Sequence, residues 1–284
     1  MTVSLFSIVK NEAQFIGYGI MSVLPYVDEI VYADGNSTDG TLEIIEHIQK
    51  KYDVQKKLRV VRGADCKDLK DDYVRLFNQL MKECKGDYLW YCHPDMILTD
   101  PGQLAEREKW DFKAAYVNMR SFAGEEMEYE IIKGRTSAWK TIMKNDFGLH
   151  YWGHYGHPDE DMYFRDITGS AHKVHKDMNR YPFEVKDLGI KVSHMCECKP
   201  RKRREEKMEN VLRTAGGVGG LGPTLSSDVH LFDVVMNHPR VHLQNGKFGN
   251  AEFEFAERKD PLPEVFSKYK KEFDQITGEK LTCA

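Results

Sequence analysis

The stretch "IVYADGNSTDGT", residues 30–41, joins an apolar run to a turn of glycines and small polar residues. Its two glycines permit backbone conformations that other residues rarely adopt, and they let a ligand approach the main chain. Asp34, at the end of the apolar run, is an acceptor suited to a base N–H or a ribose hydroxyl. Ser37 or Thr38 could cap a following helix. The stretch therefore predicts the end of a buried strand, and the turn after it is either a ligand-binding loop or simply a well-capped entry into a helix.

The first hundred residues repeat this alternation of strand and helix. The strand-like runs are residues 3–9, 28–34, 57–63 and 86–92, and the helix-like segments are residues 12–26, 41–52 and 67–85. Strands without polar alternation, separated by amphipathic helices, indicate βαβ units around a parallel sheet that is covered on both faces. In such sheets ligands bind beyond the carboxyl ends of the strands. The chain is therefore predicted to be an α/β protein with a Rossmann-like, mainly parallel sheet flanked by helices.

The remaining sequence is less regular. Further strands are predicted in "FKAAYVNM", "EYEIIKG" and "KVSHMCE", a basic helix in residues 201–214, and two more helices around 228–237 and 262–276. No internal repeat or long linker is visible. We expect one α/β domain over residues 1–200 and a helical C-terminal extension over residues 201–284, packed on that domain.

Composition excludes several classes of protein. The 284 residues are 41% hydrophobic and 30% charged with a net charge of −4, which is typical of a soluble globular protein and gives no general attraction to nucleic acid. No apolar run approaches about 18 residues, so no transmembrane segment is expected. Six scattered cysteines indicate a reducing compartment, and we expect a cytoplasmic protein.

Two motifs together resemble a known family. The first strand ends in Lys10-Asn11-Glu12, and residues 28–41 follow about twenty residues later. This order resembles the family 2 glycosyltransferases of the GT-A fold. It is most similar to the branch, of lipopolysaccharide-core type, whose second strand reads D-E-I-V-V-x-D-S-G-S-T-D-G-T; here Gly35-Asn36 replaces Ser-Gly. The resemblance covers residues 3–98. It implies a hexosyl- or pentosyltransferase that uses a nucleoside-diphosphate sugar, with UDP as the expected carrier, and that inverts the anomeric carbon.

The resemblance also implies a donor site. The positions that it assigns to nucleotide-sugar binding are Val9, Lys10, Asn11, Glu12, Asp34, Gly35, Asp65, Asn78, His93, Pro94 and Asp95. The family usually has an Arg-Asn pair where this chain has Phe77-Asn78, so the arginine is missing. Arg75 or Lys82 could substitute for it, although either could equally be a solvated residue.

A divalent cation, Mn²⁺ or Mg²⁺, is implied by the same resemblance. The family's acidic motif falls at His93-Pro94-Asp95-Met96, where Asp95 matches the second aspartate and His93 replaces the first. His93 could be a metal ligand, a ribose contact or a packing residue. As a ligand, its imidazole would suit Mn²⁺ better than Mg²⁺. His194, in the last predicted strand, could be a further metal or phosphate contact, or a buried structural histidine.

The catalytic base is expected in "GHPDEDMYFRD", residues 156–166. Adjacent carboxylates raise one another's pKa by repulsion, which makes one of them a better proton acceptor near neutral pH. Asp161 is the preferred candidate and Glu160 the second. The alternative is that these acids form the first turn of a helix, where the helix dipole favours negative charge.

Several alternatives stay open at this point. The chain could be a non-catalytic nucleotide- or sugar-binding relative, or a nucleotidyltransferase, although Lys10-Asn11-Glu12 is not the glycine-rich loop that the latter needs. The basic run "KPRKRREEK", residues 199–207, could be a solvated helix face, a clamp for the diphosphate, or a contact to a polyanionic acceptor such as nucleic acid. The acceptor could be a saccharide, a protein or a nucleic acid. Neither the acceptor nor the oligomeric state follows from the sequence.

Overall fold

The structure, a computed structural model, describes the following parts of the chain: residues 1–62, 71–124, 126–133, 142–145, 150–151, 163–165, 171–173, 185–200, 203, 247–248, 251–252 and 254–278. The helices are α1 (Ala13–Val23), α2 (Thr41–Lys51), α3 (Asp71–Glu83) and α4 (Glu264–Thr277), with a 3₁₀ helix over Gly102–Lys109. The strands are β1 (Val3–Val9), β2 (Glu29–Asp34), β3 (Leu58–Val61), β4 (Tyr88–Tyr91), β5 (Met96–Asp100), β6 (Ala114–Ala123), β7 (Tyr129–Lys133), β8 (Ile142–Lys144), β9 (His150–Tyr151), β10 (Tyr163–Arg165), β11 (Ala171–Lys173), β12 (Val185–Glu197), β13 (Lys247–Phe248), β14 (Ala251–Glu252) and β15 (Glu254–Glu257).

Ten strands form one sheet. Its main path runs β15-β7-β6-β8-β4-β1-β2-β3, and β12 joins it beside β6 and carries β5 on its other side. The half formed by β4, β1, β2 and β3 is parallel, while β7, β8 and β15 pair antiparallel with their neighbours. The chain passes from β1 to β2 on one side and later returns to β4 on the other side of β1. The carboxyl ends of β1 and β4 therefore flank a topological switch point, which is where ligands bind in open α/β sheets.

Both faces of the parallel half are covered, as the apolar character of its strands requires. Alternate residues of β1 point to opposite faces. Val3, Leu5 and Val9 join the core beneath α1, α2 and α4, whereas Phe6 packs against Phe77 of α3 with ring centroids 5.0 Å apart. A helix on each side holds the strand ends at fixed positions.

Helix α1 packs unusually close to the turn between β4 and β5. A Cβ atom at Gly19 would lie 2.7 Å from the carbonyl oxygen of Pro94 and 3.2 Å from that of Met96. A side chain at this position would push the helix away from the turn, so the glycine allows α1 to support the His93-Pro94-Asp95 segment directly.

The α/β class and the mainly parallel first half of the sheet are confirmed. Helix α4 corresponds to the helix predicted around 262–276, whereas the predicted helix at 228–237 lies outside the described residues. Two features differ from the prediction. Strand β12 begins at Val185, well before the expected run at 191–197, and β15, in the predicted helical extension, adds a strand beside β7. In the described part of the chain, no helix is both long and apolar enough to cross a membrane.

Candidate active site

The ends of β1 and β2 are joined by side-chain hydrogen bonds to backbone amides. Asn11 has a positive φ of 53°, and its amide donates to Ser37 Oγ over 2.9 Å. Its side-chain oxygen in turn accepts a bond from the Thr38 amide, also over 2.9 Å. Buried Asp34 accepts from the Ser37 amide at 3.2 Å and 3.3 Å. The Lys10-Asn11 turn and the turn after β2 therefore form one connected loop surface.

Asp39 closes the first turns of two helices. One carboxylate oxygen accepts the Ala13 amide of α1 over 3.0 Å, and the other accepts the Thr41 amide of α2 over 3.1 Å. The Thr41 hydroxyl accepts the Glu12 amide over 2.8 Å. Neither Ser37 nor Thr38 caps α2, contrary to the prediction, because Gly40 occupies the N-cap position with a φ of 94°. These amides, which could otherwise cradle a phosphate, already donate to the chain's own side chains.

Three potential metal ligands converge beyond the end of β4. One ligand atom each from His93, Asp95 and His194 lies within 4.8 Å of the others. His93 and Asp95 belong to the turn after β4, and His194 lies on β12 opposite Met96 of β5. The Met195 amide donates to the Asp95 carbonyl over 3.0 Å, which fixes the turn against β12. Pairing of β12 with β5 therefore brings together residues that lie about a hundred positions apart in the sequence.

The ligand types fit a divalent transition ion. Two imidazoles and one carboxylate suit Mn²⁺ better than Mg²⁺, which prefers oxygen ligands. Asp95 and His194 are largely buried, and the His194 Nε2 atom is 3.5 Å from Asp95 Oδ1. Cys92 lies next to this group, but burial, together with the charge of Asp95, raises the pKa of its thiol. The thiol therefore stays protonated and is not a ready ligand.

Lys199 lies between Asp95 and Glu12. Its Nζ atom is 2.9 Å from Asp95 Oδ2 and 2.6 Å and 2.7 Å from the two carboxylate oxygens of Glu12. Burial by itself lowers the pKa of this ammonium, but the negative charges of Asp95 and Glu12 outweigh burial and raise the pKa above its ordinary value. Lys199 therefore stays charged at the point where β1, the β4–β5 turn and the segment after β12 meet.

The predicted donor residues fall into two neighbouring groups. Asn11, Asp34 and Gly35 lie on the loop surface at the ends of β1 and β2, where the Gly35 amide donates to the Val9 carbonyl over 2.8 Å. Glu12 faces Lys199, and His93 and Asp95 lie with His194. Lys10 is exposed, Pro94 is buried beneath α1, and Asn78 is half-buried on α3. Asp65, Glu160 and Asp161 lie outside the described residues. The binding and catalytic assignments of all these residues stay predictions.

Sequence reasoning missed the role of Lys199. It is the first residue of the basic run, and one alternative for that run was a solvated helix face. That alternative is wrong for Lys199, which is 4% exposed, and Arg203 also turns inward to pair with Asp39 over 3.2 Å. The sequence does contain one indication of this burial: Lys199 closely follows an apolar predicted strand, and acids follow two other predicted strands.

Comparisons with known proteins found one matching family and several similar solved structures. The model of "Glycosyl transferase family 2" matches residues 4–169, more than half of the chain. Similar solved structures include Staphylococcus aureus TarS 1–349 (13% identity, TM-score 0.44, covering 98% of this chain and 81% of that one). A second is the Pyrobaculum calidifontis mannosyltransferase PcManGT in complex with GDP-Man and Mn²⁺ (13% identity, TM-score 0.43, covering 81% and 69%).

A third is the Mycobacterium tuberculosis glucosyl-3-phosphoglycerate synthase with Mn²⁺, UDP and glucosyl-3-phosphoglycerate (21% identity, TM-score 0.28, covering 43% and 44%). No curated protein matches the sequence. The match of the family model over residues 4–169, on a sheet whose strand ends meet at a switch point, shows that the chain belongs to glycosyl transferase family 2.

Proposed function

We propose that the protein transfers a hexosyl or pentosyl group from a UDP-sugar to an acceptor hydroxyl, with inversion, as the resemblance to the lipopolysaccharide-core-type branch implies. The observation that carries the proposal is the convergence of His93, Asp95 and His194 at the switch point of a family 2 sheet. The residues at the ends of β1 and β2, above all Asn11 and Asp34, would bind the nucleoside.

Transfer requires compensation of the charge that develops on the departing diphosphate. The amides at the starts of α1 and α2 already donate to Asp39 and Thr41. A bound cation is therefore the better candidate to compensate the charge of the diphosphate, which favours a metal-dependent donor site. His93, Asp95 and His194 would hold the ion, and the ion would supply positive charge to the diphosphate. The two imidazoles favour Mn²⁺ over Mg²⁺.

The bond changes follow from the reaction class. The acceptor oxygen attacks the anomeric carbon from the side opposite the diphosphate, the carbon–oxygen bond to the diphosphate breaks, and the acceptor proton passes to a carboxylate. The predicted carboxylate is Asp161, with Glu160 as the second candidate. Attack opposite the leaving group inverts the anomeric carbon.

A thermal-shift panel tests the donor. UDP-, GDP-, TDP- and CMP-sugars are compared with and without Mn²⁺, because a ligand that binds only the native state raises the melting temperature. We expect the largest shift with a UDP-sugar and Mn²⁺ together, and release of UDP when an acceptor is present. If no nucleotide sugar raises the melting temperature, the donor site is refuted. Binding without turnover, under a broad acceptor screen, would instead identify a non-catalytic relative.

Asp95→Asn tests the cation site. Removal of this charge should lower transfer by about 10²–10³-fold, because the site loses a ligand of the cation that would compensate charge in the transition state. The fold should persist, since Lys199 keeps Glu12 as a partner. Asp100→Asn is the matched control, because Asp100 lies at the other end of β5 and pairs with exposed Lys191. Near-normal transfer by the Asp95 variant would remove Asp95 from its assigned role.

A further inference from the structure

Lys199 is a buried cation in direct contact with a candidate metal ligand. Its side chain is 5% exposed, and it follows β12 by two residues. The Cys198 amide donates to the Met195 carbonyl over 3.0 Å, so a tight turn directs the chain back beneath the site. Burying an ammonium away from water is costly, and close carboxylates can offset that cost. Glu12 and Asp95 provide them.

The contacts divide the two oxygens of Asp95 between different partners. Oδ2 faces the Lys199 ammonium at 2.9 Å, whereas Oδ1 faces His194 Nε2 at 3.5 Å. Glu12 holds the lysine through both of its oxygens. Glu12 therefore holds Lys199, and Lys199 in turn holds Asp95 Oδ2. These contacts leave Asp95 Oδ1 as the oxygen that can bind an ion. Outer partners of this kind orient metal ligands and tune their affinity.

The charges of this group disfavour a cation without a counter-ion. Metal-ligating imidazoles must be neutral, so Glu12, Asp95 and Lys199 together carry one net negative charge. A divalent cation alone would leave a net positive charge in a buried place, beside an ammonium that repels it. A diphosphate brings two negative charges and removes this excess.

We propose that Lys199 is a positioning residue of the metal site, which fixes Asp95 and weakens the affinity of the nucleotide-free protein for a divalent cation. Firm metal binding then requires the diphosphate of the donor. This inference rests on the proposed function only in its second part, because the effect of Lys199 on a cation alone can be measured without any nucleotide.

The first experiment measures Mn²⁺ binding to the nucleotide-free protein, by the electron paramagnetic resonance signal of free Mn²⁺. Lys199→Met keeps the length of the side chain and removes its charge. We expect it to bind Mn²⁺ at least about tenfold more tightly than the unsubstituted protein does. Lys199→Arg keeps the charge and should bind Mn²⁺ like the unsubstituted protein. An unchanged or weakened affinity in Lys199→Met, or a tightened affinity in Lys199→Arg, would overturn the proposal.

A double variant excludes a simpler explanation. In Lys199→Met, the released Glu12 could itself bind the ion, and its unpaired charge could unfold the protein. Glu12→Gln with Lys199→Met removes both charges, so Asp95 is the one carboxylate of the three that remains, and residue 12 can neither bind the ion as a carboxylate nor stay behind as an unpaired charge. Its Mn²⁺ affinity should still exceed that of the unsubstituted protein, and an affinity equal to or below that value would refute a direct effect of the ammonium.

The second experiment repeats the Mn²⁺ titration with saturating UDP and, separately, GDP. We expect the favoured nucleotide to tighten Mn²⁺ binding at least about tenfold in the unsubstituted protein and by a smaller factor in Lys199→Met. An equal factor in both proteins would overturn the conditional part of the proposal. If neither nucleotide binds, the proposed donor site fails, while the nucleotide-free titrations still decide the role of Lys199.

Discussion

His93 gives the candidate metal site its particular character. The family motif has a carboxylate where this chain has an imidazole, and His194 supplies a second imidazole from β12. A set of two nitrogens and one carboxylate selects against Mg²⁺, because this small hard ion releases its oxygen ligands reluctantly. A single side chain can therefore set the metal preference of the site without changing the fold.

His93→Asp should shift the site toward Mg²⁺. A second carboxylate adds a hard oxygen ligand, so we expect the ratio of Mg²⁺ to Mn²⁺ dissociation constants to fall by about tenfold or more. Isothermal titration with each metal in the presence of UDP measures this ratio. His93→Asn supplies an oxygen without the charge and separates the two contributions. A ratio that stays the same in the aspartate variant would show that His93 does not contact the ion.

At the scale of elements, the site depends on how α1 rests on the β4–β5 turn. Gly19 approaches the Pro94 carbonyl, whereas Gly17, half a turn away, approaches the ring of Phe273 on α4. The same helix therefore contacts the metal-site turn with one glycine and the C-terminal helix with the other. Substitutions at the two glycines can therefore distinguish an effect on the stability of the protein from an effect on the geometry of the metal site.

Gly19→Ala should destabilise the protein and weaken the site together. The new methyl group would meet backbone oxygens, which cannot rotate away, so we expect a loss of about 1–3 kcal/mol in the free energy of unfolding despite the better helix propensity of alanine. Mn²⁺ affinity in the presence of UDP should fall as well. Gly17→Ala is the matched control: it should also destabilise the protein, but by displacing Phe273, and leave Mn²⁺ affinity unchanged. Equal effects of both variants on Mn²⁺ affinity would contradict this view of α1.

At the scale of the whole molecule, the two ends of the parallel strands carry different kinds of charge. The carboxyl ends hold the buried cluster around Asp95, whereas the amino ends carry ion pairs and capped acids that are partly open to solvent. Burial raises the pKa of Asp28, but hydrogen bonds from Arg107 and the Val3 amide outweigh it, and the pKa is lowered. The same balance lowers the pKa of Glu29, through Ser4, the Lys85 amide and Arg59.

These acids should make the protein sensitive to low pH. A carboxylate whose pKa is lower in the folded state stabilises the fold above its unfolded pKa, and this contribution is lost as the pH falls through the folded pKa. The ordinary pKa values of these carboxyl groups are 3.8 for Asp28 and 4.5 for Glu29. The urea concentration at the unfolding midpoint should therefore begin to fall slightly above these pH values and continue to fall as the pH is lowered further. Asp28→Asn should show a lower midpoint at pH 7 and a shallower decline. A decline as steep as that of the unsubstituted protein would contradict this assignment.

The sequence predicted the parallel half of the sheet because its strands and helices follow one another locally, with clear apolar periodicity. It also placed His93, Asp95 and His194 as candidates. It could not show that Lys199 joins them, because that contact depends on β12 returning beside β5, a pairing between distant segments. Strand β15 was missed for the same reason: a four-residue strand is identified by its partner β7 more than by its own composition.

The pairing of β15 with β7 has a practical consequence for dissecting the protein. A fragment that stops at residue 200 would retain every described member of the metal cluster but would leave β7 with a row of bare amides and carbonyls. An exposed edge strand of this kind can pair with a strand of another molecule, and the resulting self-association would interfere with measurements of activity. Studies of the first 200 residues are therefore better carried out with β15 still attached than with a chain cut at the domain boundary predicted from the sequence.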